Sequence, residues 1–445
     1  MDNLKFNFNN KKILIPLVIL MLSVFIGFLT TKFAIDSPFS DFSNNVLLDI
    51  IKVSSMILIF SFVIYTISFK VSKKILTILL IAYFLRVLMV FIMSFFGLLP
   101  YLYDNNWELD ALHLLDDWNI GDFHFTVAGS TVSFYSIVTT IIYYLLGYNP
   151  IYMQLINAFV STLSVFYFYK IAEHIFKHKI AIFSSLLMGI WPTYIYFSSM
   201  QMREAFAIFF ILALLYNFII WMSTFKIKHL FLVGLFFVLS FLIRSQNASL
   251  MIIILFPFIT YFAWMRSSKY MKVLIIFIVT ILIGIATALL FSLGYGEYMS
   301  MQYIENEMSY RSGGGSGYLT WMHYNSILHV ILYAPLRFIY FVFSPFPWQI
   351  ASIEQILAFG ESVLLIYMSF KILKNLKYIW NYCINKKALF FIITFCLLGL
   401  IANGIIDSNV GTTIRHKLQY IFVIFLLYSV VSKIKLTSEK QHNNV

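Results

Sequence analysis

Residues 73–122 read KKILTILLIAYFLRVLMVFIMSFFGLLPYLYDNNWELDALHLLDDWNIGD and join a long apolar run to an acidic segment. The apolar run, residues 75–96, is long enough to cross a hydrocarbon core of about 30 Å. The next stretch, residues 97–130, contains no Lys or Arg and six carboxylates: Asp104, Glu108, Asp110, Asp116, Asp117 and Asp122. Because Lys and Arg are enriched in cytoplasmic loops, this order predicts a membrane-spanning helix that leads to an acidic loop on the outer side.

The composition of the whole chain agrees with a membrane protein. Its 445 residues are 61% hydrophobic, 19% aromatic and only 11% charged, and long apolar runs recur from end to end. These values exclude a water-soluble globule and predict an all-α, polytopic integral membrane protein surrounded by membrane lipids. The net charge of +12 comes mostly from lysines beside helix ends, so no nucleic acid partner is expected.

The charge distribution predicts a topology. Sixteen of the nineteen Asp and Glu fall in segments assignable to one side of the membrane, and twenty-two of the thirty-one Lys and Arg in short loops on the other. Placing the basic loops inside predicts a multi-pass plasma-membrane protein with both termini cytoplasmic. About twelve transmembrane helices are expected, at residues 13–31, 46–68, 75–96, 151–169, 180–198, 204–222, 230–244, 248–264, 273–293, 353–372, 388–405 and 420–432.

Two further apolar runs, residues 132–146 and 327–343, must not cross if the basic loops are all to lie inside. We expect them to be helices in the outer interface. The chain then divides into an N-terminal three-helix segment, an outer acidic loop with an interfacial helix, a transmembrane core, a second outer loop with an interfacial helix, and a C-terminal three-helix segment. Their predicted bounds are 1–96, 97–150, 151–293, 294–352 and 353–445.

The acidic loop supplies the candidate catalytic residues. Helical spacing in residues 104–118 places Asp110, His113 and Asp117 on one face. Carboxylates beside an apolar surface tend to have a raised pKa, which suits a general base. The catalytic candidates are therefore Asp110, then Asp117, and Asp116. Two alternatives stay open: a solvated acidic face without a catalytic role, or a divalent-metal site at Asp116 and Asp117, although adjacent helical side chains diverge. No other cofactor is expected.

Arginine use points to an anionic ligand. Of seven arginines only Arg266 lies in a loop assigned to the cytoplasm. A guanidinium stays charged when desolvated and binds phosphate bidentately, so outer arginines favour a phosphorylated lipid or sugar ligand. The alternative is that each arginine pairs with a carboxylate or extends to lipid headgroups. The predicted substrate-binding residues are Arg203, Glu204, Arg244, Arg337, Arg415 and His416.

Several stretches resemble one family. The run FYSIVTTIIYYLLG at residues 134–147, with QLIN at 154–157, YKIA at 169–172, Trp191-Pro192 and Arg203-Glu204, is similar to the GT-C superfamily of membrane glycosyltransferases. That superfamily includes protein O-mannosyltransferases and lipid A aminoarabinose transferases. Its members have an acidic first outer loop, a short non-spanning helix and then a spanning helix. The resemblance covers roughly residues 100–250, and this chain differs in having two extra helices before the acidic loop.

The resemblance implies transfer of a sugar from a polyprenyl-phosphate donor to a glycan or lipid acceptor at the outer face of the membrane, in cell-envelope polysaccharide or glycolipid assembly. Asp110, with Asp117 second, would accept the proton of an acceptor hydroxyl, and arginines would stabilise the departing phosphate. Two alternatives remain. A repeat-unit polysaccharide polymerase would need the same outer arginines, and a non-enzymatic transporter or flippase for lipid-linked glycans would need ionisable residues deep within several helices.

Overall fold

The computed structural model describes residues 46–69, 71–95, 106–127, 130–266, 268, 270, 301–313 and 315–442. This part of the chain is almost entirely helical, with one two-residue hairpin, Thr126–Val127 (β1) and Ser130–Thr131 (β2). The predicted all-α polytopic architecture is confirmed. The helices are α1 Val46–Phe69, α2 Lys73–Phe95, α3 Asn106–Asn119, α4 Phe134–Leu146, α5 Pro150–Ile175, α6 His178–Gly189, α7 Pro192–Ser198, α8 Glu204–Thr224, α9 Ile227–Ile243, α10 Ser245–Arg266, α11 Met301–Arg311, α12 Ile327–Phe343, α13 Ile353–Lys374, α14 Leu376–Tyr382, α15 Lys386–Ile406, α16 Val410–Lys417 and α17 Phe422–His442.

Six of the described helices are long and apolar enough to cross a membrane, namely α1, α2, α5, α8, α13 and α15, and eight spans result if two bent helix pairs each count as one. The apolar helices α4, α9 and α12 are shorter, and α10 has a shorter apolar part, Leu250–Arg266. Two of these, α4 and α12, correspond to the runs predicted to lie in the interface. The predicted spans 13–31 and 273–293 lie outside the described residues, so the count of twelve stays a prediction.

The predicted span 180–198 is not one continuous helix, because the chain breaks between α6 and α7 and bends by 60° there. Pro192 is the first residue of α7 and follows Trp191, whose backbone is extended. Proline lacks an N–H and disfavours helical geometry at the preceding residue, so it begins a helix and does not continue one. The basic stretch before the last predicted span also forms a helix of its own, α16, which meets α17 at a bend of 61°.

The broken segment is stabilised by a buried arginine. Arg86 of α2 is fully buried, and its Nη1 donates to the carbonyl oxygen of Gly189 at 2.9 Å. Its Nε donates to Ser198 Oγ at 2.9 Å, and its guanidinium lies 4.8 Å from the ring centre of Tyr194. A carbonyl at a helix end has no partner within its own helix. Arg86 therefore satisfies a backbone group that the break exposes inside the protein.

The chain forms two compact units. The N-terminal unit consists of Met1–Phe166 and Gly189–Phe209, and in it α1 packs against α2, α2 against α7, and α3 against α4. The C-terminal unit consists of Tyr167–Met188 and Phe210–Val445, and in it α9 packs against α10, α12 against α15, and α13 against α17. Each unit contains one cluster of charged and polar side chains from the predicted outer segments.

Glycines allow close packing around α15. A Cβ added at Gly404 would lie 3.2 Å from Phe341 Cβ of α12, and one added at Gly399 would lie 2.2 Å from Tyr420 Cε1. The second distance is too short for any side chain. Small residues at such positions let helix backbones approach closely, which is how apolar helices associate within membranes. This packing holds α12 and the residues directly after α16 against α15.

Candidate active site

The helix α3 is positioned by its apolar face. Four buried side chains recur at the spacing of one helical face, and they lie against α4: Ala111, Leu114, Leu115 and Trp118. The hydroxyl of Thr140 on α4 also donates to the carbonyl oxygen of Ala111 at 3.2 Å. These contacts fix α3 beside α4. The acidic residues of the loop are therefore carried by a packed helix.

The three predicted catalytic aspartates have different surroundings on α3. Asp110 is half-buried, and burial raises its pKa while the nearby His113 partly lowers it. Asp117 is paired, with its Oδ2 lying 3.2 Å from Nε2 of His124. Asp116 is exposed. Of the three, Asp110 is the one whose raised pKa matches the expectation for a general base.

The structure adds Glu108, which the sequence pattern does not single out. Its Oε1 accepts hydrogen bonds from the hydroxyls of Tyr143 and Tyr148, each at 3.2 Å. Burial raises the pKa of Glu108, and the two hydroxyl donors offset part of that increase. Tyr143 in turn accepts a hydrogen bond from Nε2 of Gln201 at 2.8 Å. Glu108 is thus a carboxylate of raised pKa held in a defined place by aromatic hydroxyls.

The predicted substrate-binding residue Arg203 lies at the same end of α3. Its guanidinium is 4.3 Å from the ring centre of Trp107, the residue directly before Glu108. Trp107 also makes an edge contact with Tyr135 of α4, with 6.1 Å between ring centres. Stacking on an aromatic face orients a guanidinium. Glu204, the next residue, is buried in the first turn of α8.

Asn157 of α5 fixes the chain before α8. Its Nδ2 donates to the hydroxyl of Tyr135 at 2.9 Å and to the carbonyl oxygens of Met200 at 2.5 Å and Met202 at 3.0 Å. Because Met200 and Met202 flank Gln201 and precede Arg203, this single amide holds the segment that presents both side chains. We call the set Trp107, Glu108, Tyr143, Tyr148, Gln201 and Arg203 the tyrosine–arginine cluster.

A second polar cluster lies in the C-terminal unit. Asp407 is fully buried; its Oδ1 accepts from Nη1 of Arg311 at 2.5 Å, and its Oδ2 lies 2.6 Å from Nδ1 of His416. A guanidinium nitrogen of Arg244 contacts the other imidazole nitrogen, Nε2. Since arginine can only donate, Nε2 accepts and Nδ1 carries the proton that is donated to Asp407. The structure thus gathers the predicted residues Arg244 and His416.

The electrostatics of this cluster centre on Asp407. Burial opposes ionisation of its carboxyl, but His416 and Arg311 lower its pKa to about 2. Asp407 is therefore ionised at neutral pH although it is fully buried. It was not a predicted site residue, and its partner Arg311 lies 96 positions away in the sequence. No spacing rule relates residues so far apart.

The last two predicted substrate-binding residues differ in accessibility. Arg337 of α12 is fully buried and donates to Ser408 Oγ at 2.9 Å and to Met308 Sδ at 2.6 Å. Its guanidinium also lies 5.3 Å from the ring centre of Tyr324. Arg415 of α16 is half-buried. Within the described ranges, no group of three or more His, Cys, Asp or Glu side chains is arranged to hold a metal ion.

Comparison with protein families gives one match. Residues 133–291 match the model of the dolichyl-phosphate-mannose-protein mannosyltransferase family, a family of the GT-C type. The matched segment is a little over a third of the chain; it begins just before α4 and includes Arg203, Glu204 and Arg244. No match was found among curated proteins or among solved structures. Members of the matched family are glycosyltransferases that use a polyprenyl-phosphate-linked sugar, so the match supports that activity and donor class.

Proposed function

We propose that this GT-C membrane glycosyltransferase transfers a sugar from its polyprenyl-phosphate-linked donor to a glycan or lipid acceptor at the outer face of the plasma membrane. The role would be assembly of cell-envelope glycans or glycolipids. The observation that carries the proposal is the tyrosine–arginine cluster, in which Arg203, a side chain of the type that binds phosphate, stacks on Trp107. The residue after Trp107 is Glu108, a carboxylate of raised pKa. Four of the six cluster residues lie within the matched segment, and Trp107 and Glu108 lie before it in the sequence.

The acceptor hydroxyl must lose a proton as the new glycosidic bond forms, and a carboxylate with a raised pKa can accept it. Two residues on the first turns of α3 meet this requirement, Glu108 and Asp110. The contacts favour Glu108, because Tyr143 and Tyr148 hold its carboxylate in place and Tyr143 also accepts from Gln201, two residues before Arg203. Asp110 is the alternative base, and Asp117 follows it because its carboxylate is already paired with His124.

The departing polyprenyl phosphate gains negative charge as the sugar leaves. A guanidinium of this type keeps its charge when desolvated and matches a phosphate through two parallel N–H groups. A fixed positive group that meets developing charge lowers the barrier without reorganising at the moment of reaction. We therefore assign Arg203 the role of stabilising the leaving phosphate. Glu204, beside it, is a further substrate-binding candidate in the N-terminal unit.

Phosphate contacts by Arg244, Arg337, Arg415 and His416 are a separate proposal for the C-terminal unit. Arg337 directs two guanidinium nitrogens to Ser408 and Met308, and Arg244 contacts His416. Such contacts can position a guanidinium for a ligand, just as they can use its N–H groups within the protein. Arg415 is the half-buried member of the set, so a phosphate would reach its guanidinium with the least rearrangement.

Transport of a lipid-linked glycan is the second candidate function, because two ionisable side chains are deeply buried among the helices of the C-terminal unit. Glu361 of α13 and Lys417 of α16 are both buried. However, Nζ of Lys417 donates to the carbonyl oxygens of Val342, at 3.3 Å, and Ser344. These carbonyls end α12, so Lys417 has a structural task there. A polymerase acting on lipid-linked oligosaccharides would use the same chemistry as the transferase.

The proposal can be tested with membranes from cells that express the protein. A panel of polyprenyl-phosphate sugars, each radiolabelled in the sugar, is added, and label is followed into lipid, glycan and protein fractions. We expect label from at least one donor to enter a glycan or lipid fraction only when the protein is present. Label that instead crosses to the other leaflet while still attached to its donor lipid would support the transporter. Addition of whole oligosaccharide units would support the polymerase.

A further inference from the structure

A cavity of about 430 Å³ lies between α10, α14 and α15 in the C-terminal unit. Its wall is formed by Pro257 and three aromatic residues of α10, by Trp380 of α14 and by three residues of α15. The size is within the range of pockets that bind small molecules or lipid chains. No residue of the tyrosine–arginine cluster contributes to this wall.

Two lysines of α15 supply the positive charge of the cavity. Lys386 and Lys387 are both exposed, and the described lining includes no Asp or Glu. Nζ of Lys386 is 5.8 Å from the ring centre of Trp380, and Nζ of Lys387 is 5.7 Å from that of Phe262. Aromatic faces attract cations at such distances. The two ammonium groups thus lie over aromatic side chains of an otherwise apolar cavity.

The same lysines stand at the N-terminus of their helix, as Lys73 and Lys74 do in α2. They are the first two residues of α15, and its first turn contains no acidic residue. Asn385 caps this helix, since its Oδ1 accepts a hydrogen bond from the N–H of Ala388 at 3.1 Å. The N-terminus of a helix also carries partial positive charge, so cations there are unfavourable and anions favourable. A bound anion would reverse this cost, because it would interact with both ammonium groups and with the helix end.

The apolar part of the cavity suits a hydrocarbon chain. Pro257 lies inside α10 and removes a backbone N–H from that helix, a change that commonly bends or opens a helix wall. The rings of Phe258 on α10 and Phe390 on α15 face one another with 6.1 Å between their centres. Both belong to the lining. The aromatic walls match the hydrocarbon chain of an amphiphile, and the two cations match an anionic head.

We propose that this cavity binds an anionic phospholipid. Its phosphate would lie between Lys386, Lys387 and the first turn of α15, and one acyl chain would enter the aromatic cavity. Sequence analysis assigns this end of α15 to the cytoplasmic side, where anionic headgroups attract basic residues near the membrane surface. The site would thus take a lipid of the leaflet opposite to the predicted active site.

The full-length protein, purified in a neutral detergent, provides the test. Binding of dioleoyl phosphatidylglycerol and of dioleoyl phosphatidylcholine is measured by native mass spectrometry for the wild type and for Lys386→Gln/Lys387→Gln. A matched control is Lys371→Gln/Lys374→Gln on α13, whose ammonium groups lie over Tyr367 and Phe370 and outside the cavity. A basic residue near an anionic surface contributes about a fivefold effect, so the cavity variant should bind phosphatidylglycerol roughly thirtyfold more weakly. The control should bind it as the wild type does.

Three results would overturn the proposal. The first is equal binding of phosphatidylglycerol and phosphatidylcholine by the wild type, which would make the cavity a general lipid-facing groove. The second is an equal loss in the α13 control, which would make net charge the cause. The third is equal binding of glycerol 3-phosphate, which has no acyl chain and would identify a site for soluble phosphate. Both lysines are exposed, so their replacement should leave the helices folded.

Discussion

The carboxylate of Glu108 accepts a hydrogen bond from the hydroxyl of Tyr143 at 3.2 Å, and this bond joins α3 to α4 across 35 positions of sequence. Tyr143 also accepts a hydrogen bond from Gln201, which precedes α8. One tyrosine hydroxyl thereby connects the acidic loop to the segment that carries Arg203. The geometry of the cluster is set by this connection and not by the number of acidic residues in the loop.

Replacing Tyr143 with Phe should change the pH dependence of transfer. A hydroxyl that donates to a carboxylate stabilises its ionised form, so loss of the donor should raise the pKa of Glu108 further. If Glu108 is the base, it will stay protonated to a higher pH, and the acid limb of the rate–pH profile will move upward. Tyr144→Phe is the control, since Tyr144 contacts Trp118 and Phe123 through its ring. Identical profiles for the wild type and Tyr143→Phe would argue against Glu108.

Replacing Arg203 with Lys should weaken use of the donor although the charge is kept. Lysine cannot bind a phosphate bidentately, and the loss should be on the order of 1.5 to 3 kcal/mol, or roughly tenfold to a hundredfold in donor KM. Arg266→Lys is a matched control, because Arg266 lies 4.3 Å from the ring centre of Phe225 in the same type of contact. Unchanged donor dependence in Arg203→Lys would make Arg203 a structural residue. The same substitution at Arg244 tests the separate proposal for the C-terminal unit.

Replacing Asp407 with Asn should destabilise the protein at neutral pH. Removing one partner of a buried ion pair costs about 3 to 5 kcal/mol, because Arg311 would lose its counter-charge. The pKa of Asp407 is lowered in the folded state to about 2. Its contribution to stability is therefore present above its unfolded pKa, near 4, and is lost as the pH falls from about 4 to about 2.

Thermal unfolding in detergent between pH 2 and pH 7 measures this effect. The wild type should lose stability steeply below pH 4, and Asp407→Asn should start lower and show a shallower slope. Asp116→Asn, an exposed carboxylate on α3, should behave as the wild type does. Parallel curves for the wild type and Asp407→Asn would show that the buried pair makes no pH-dependent contribution to stability.

The predicted sidedness can be tested by cysteine labelling. Cysteines placed at Asp110 and Arg415 should react with an impermeant thiol reagent in intact cells, whereas cysteines at Lys177 and Lys377 should react only after permeabilisation. The native Cys383 and Cys396 are both buried, so the background should be low. Labelling of the Lys377 replacement from outside would contradict the topology of twelve spans and the two non-crossing runs.

Local patterns in the sequence predicted where the helices lie, but they did not predict the contacts between those helices. The run 132–146 is too short to span about 30 Å, and it forms the 13-residue helix α4. The break before Pro192 was missed because hydropathy is continuous through it, although proline itself was the available signal. Helical spacing in residues 104–118 likewise predicted the helix that forms α3.

The candidate site was predicted only in part. Arg203 was found because an outer arginine departs from the expected charge pattern, and Asp110 because it lies in an unbroken acidic stretch. Glu108 lies in the same stretch, but its tyrosine partners follow at 35 and 40 positions. The pairing of Asp407 with Arg311 spans 96 positions. Such contacts arise from tertiary packing, which no local periodicity encodes.

The central claim is that a carboxylate on α3 accepts the acceptor proton in sugar transfer. The most direct measurement compares transfer from the preferred polyprenyl-phosphate sugar by Glu108→Gln, Asp110→Asn and the exposed control Asp116→Asn, each at matched expression. We predict that Glu108→Gln lowers the rate roughly 10²- to 10⁴-fold, the usual contribution of proton transfer, and that Asp116→Asn retains the wild-type rate. A large loss in Asp110→Asn alone would identify Asp110, and not Glu108, as the general base. Full transfer in all three variants, and in Asp117→Asn, would contradict the claim.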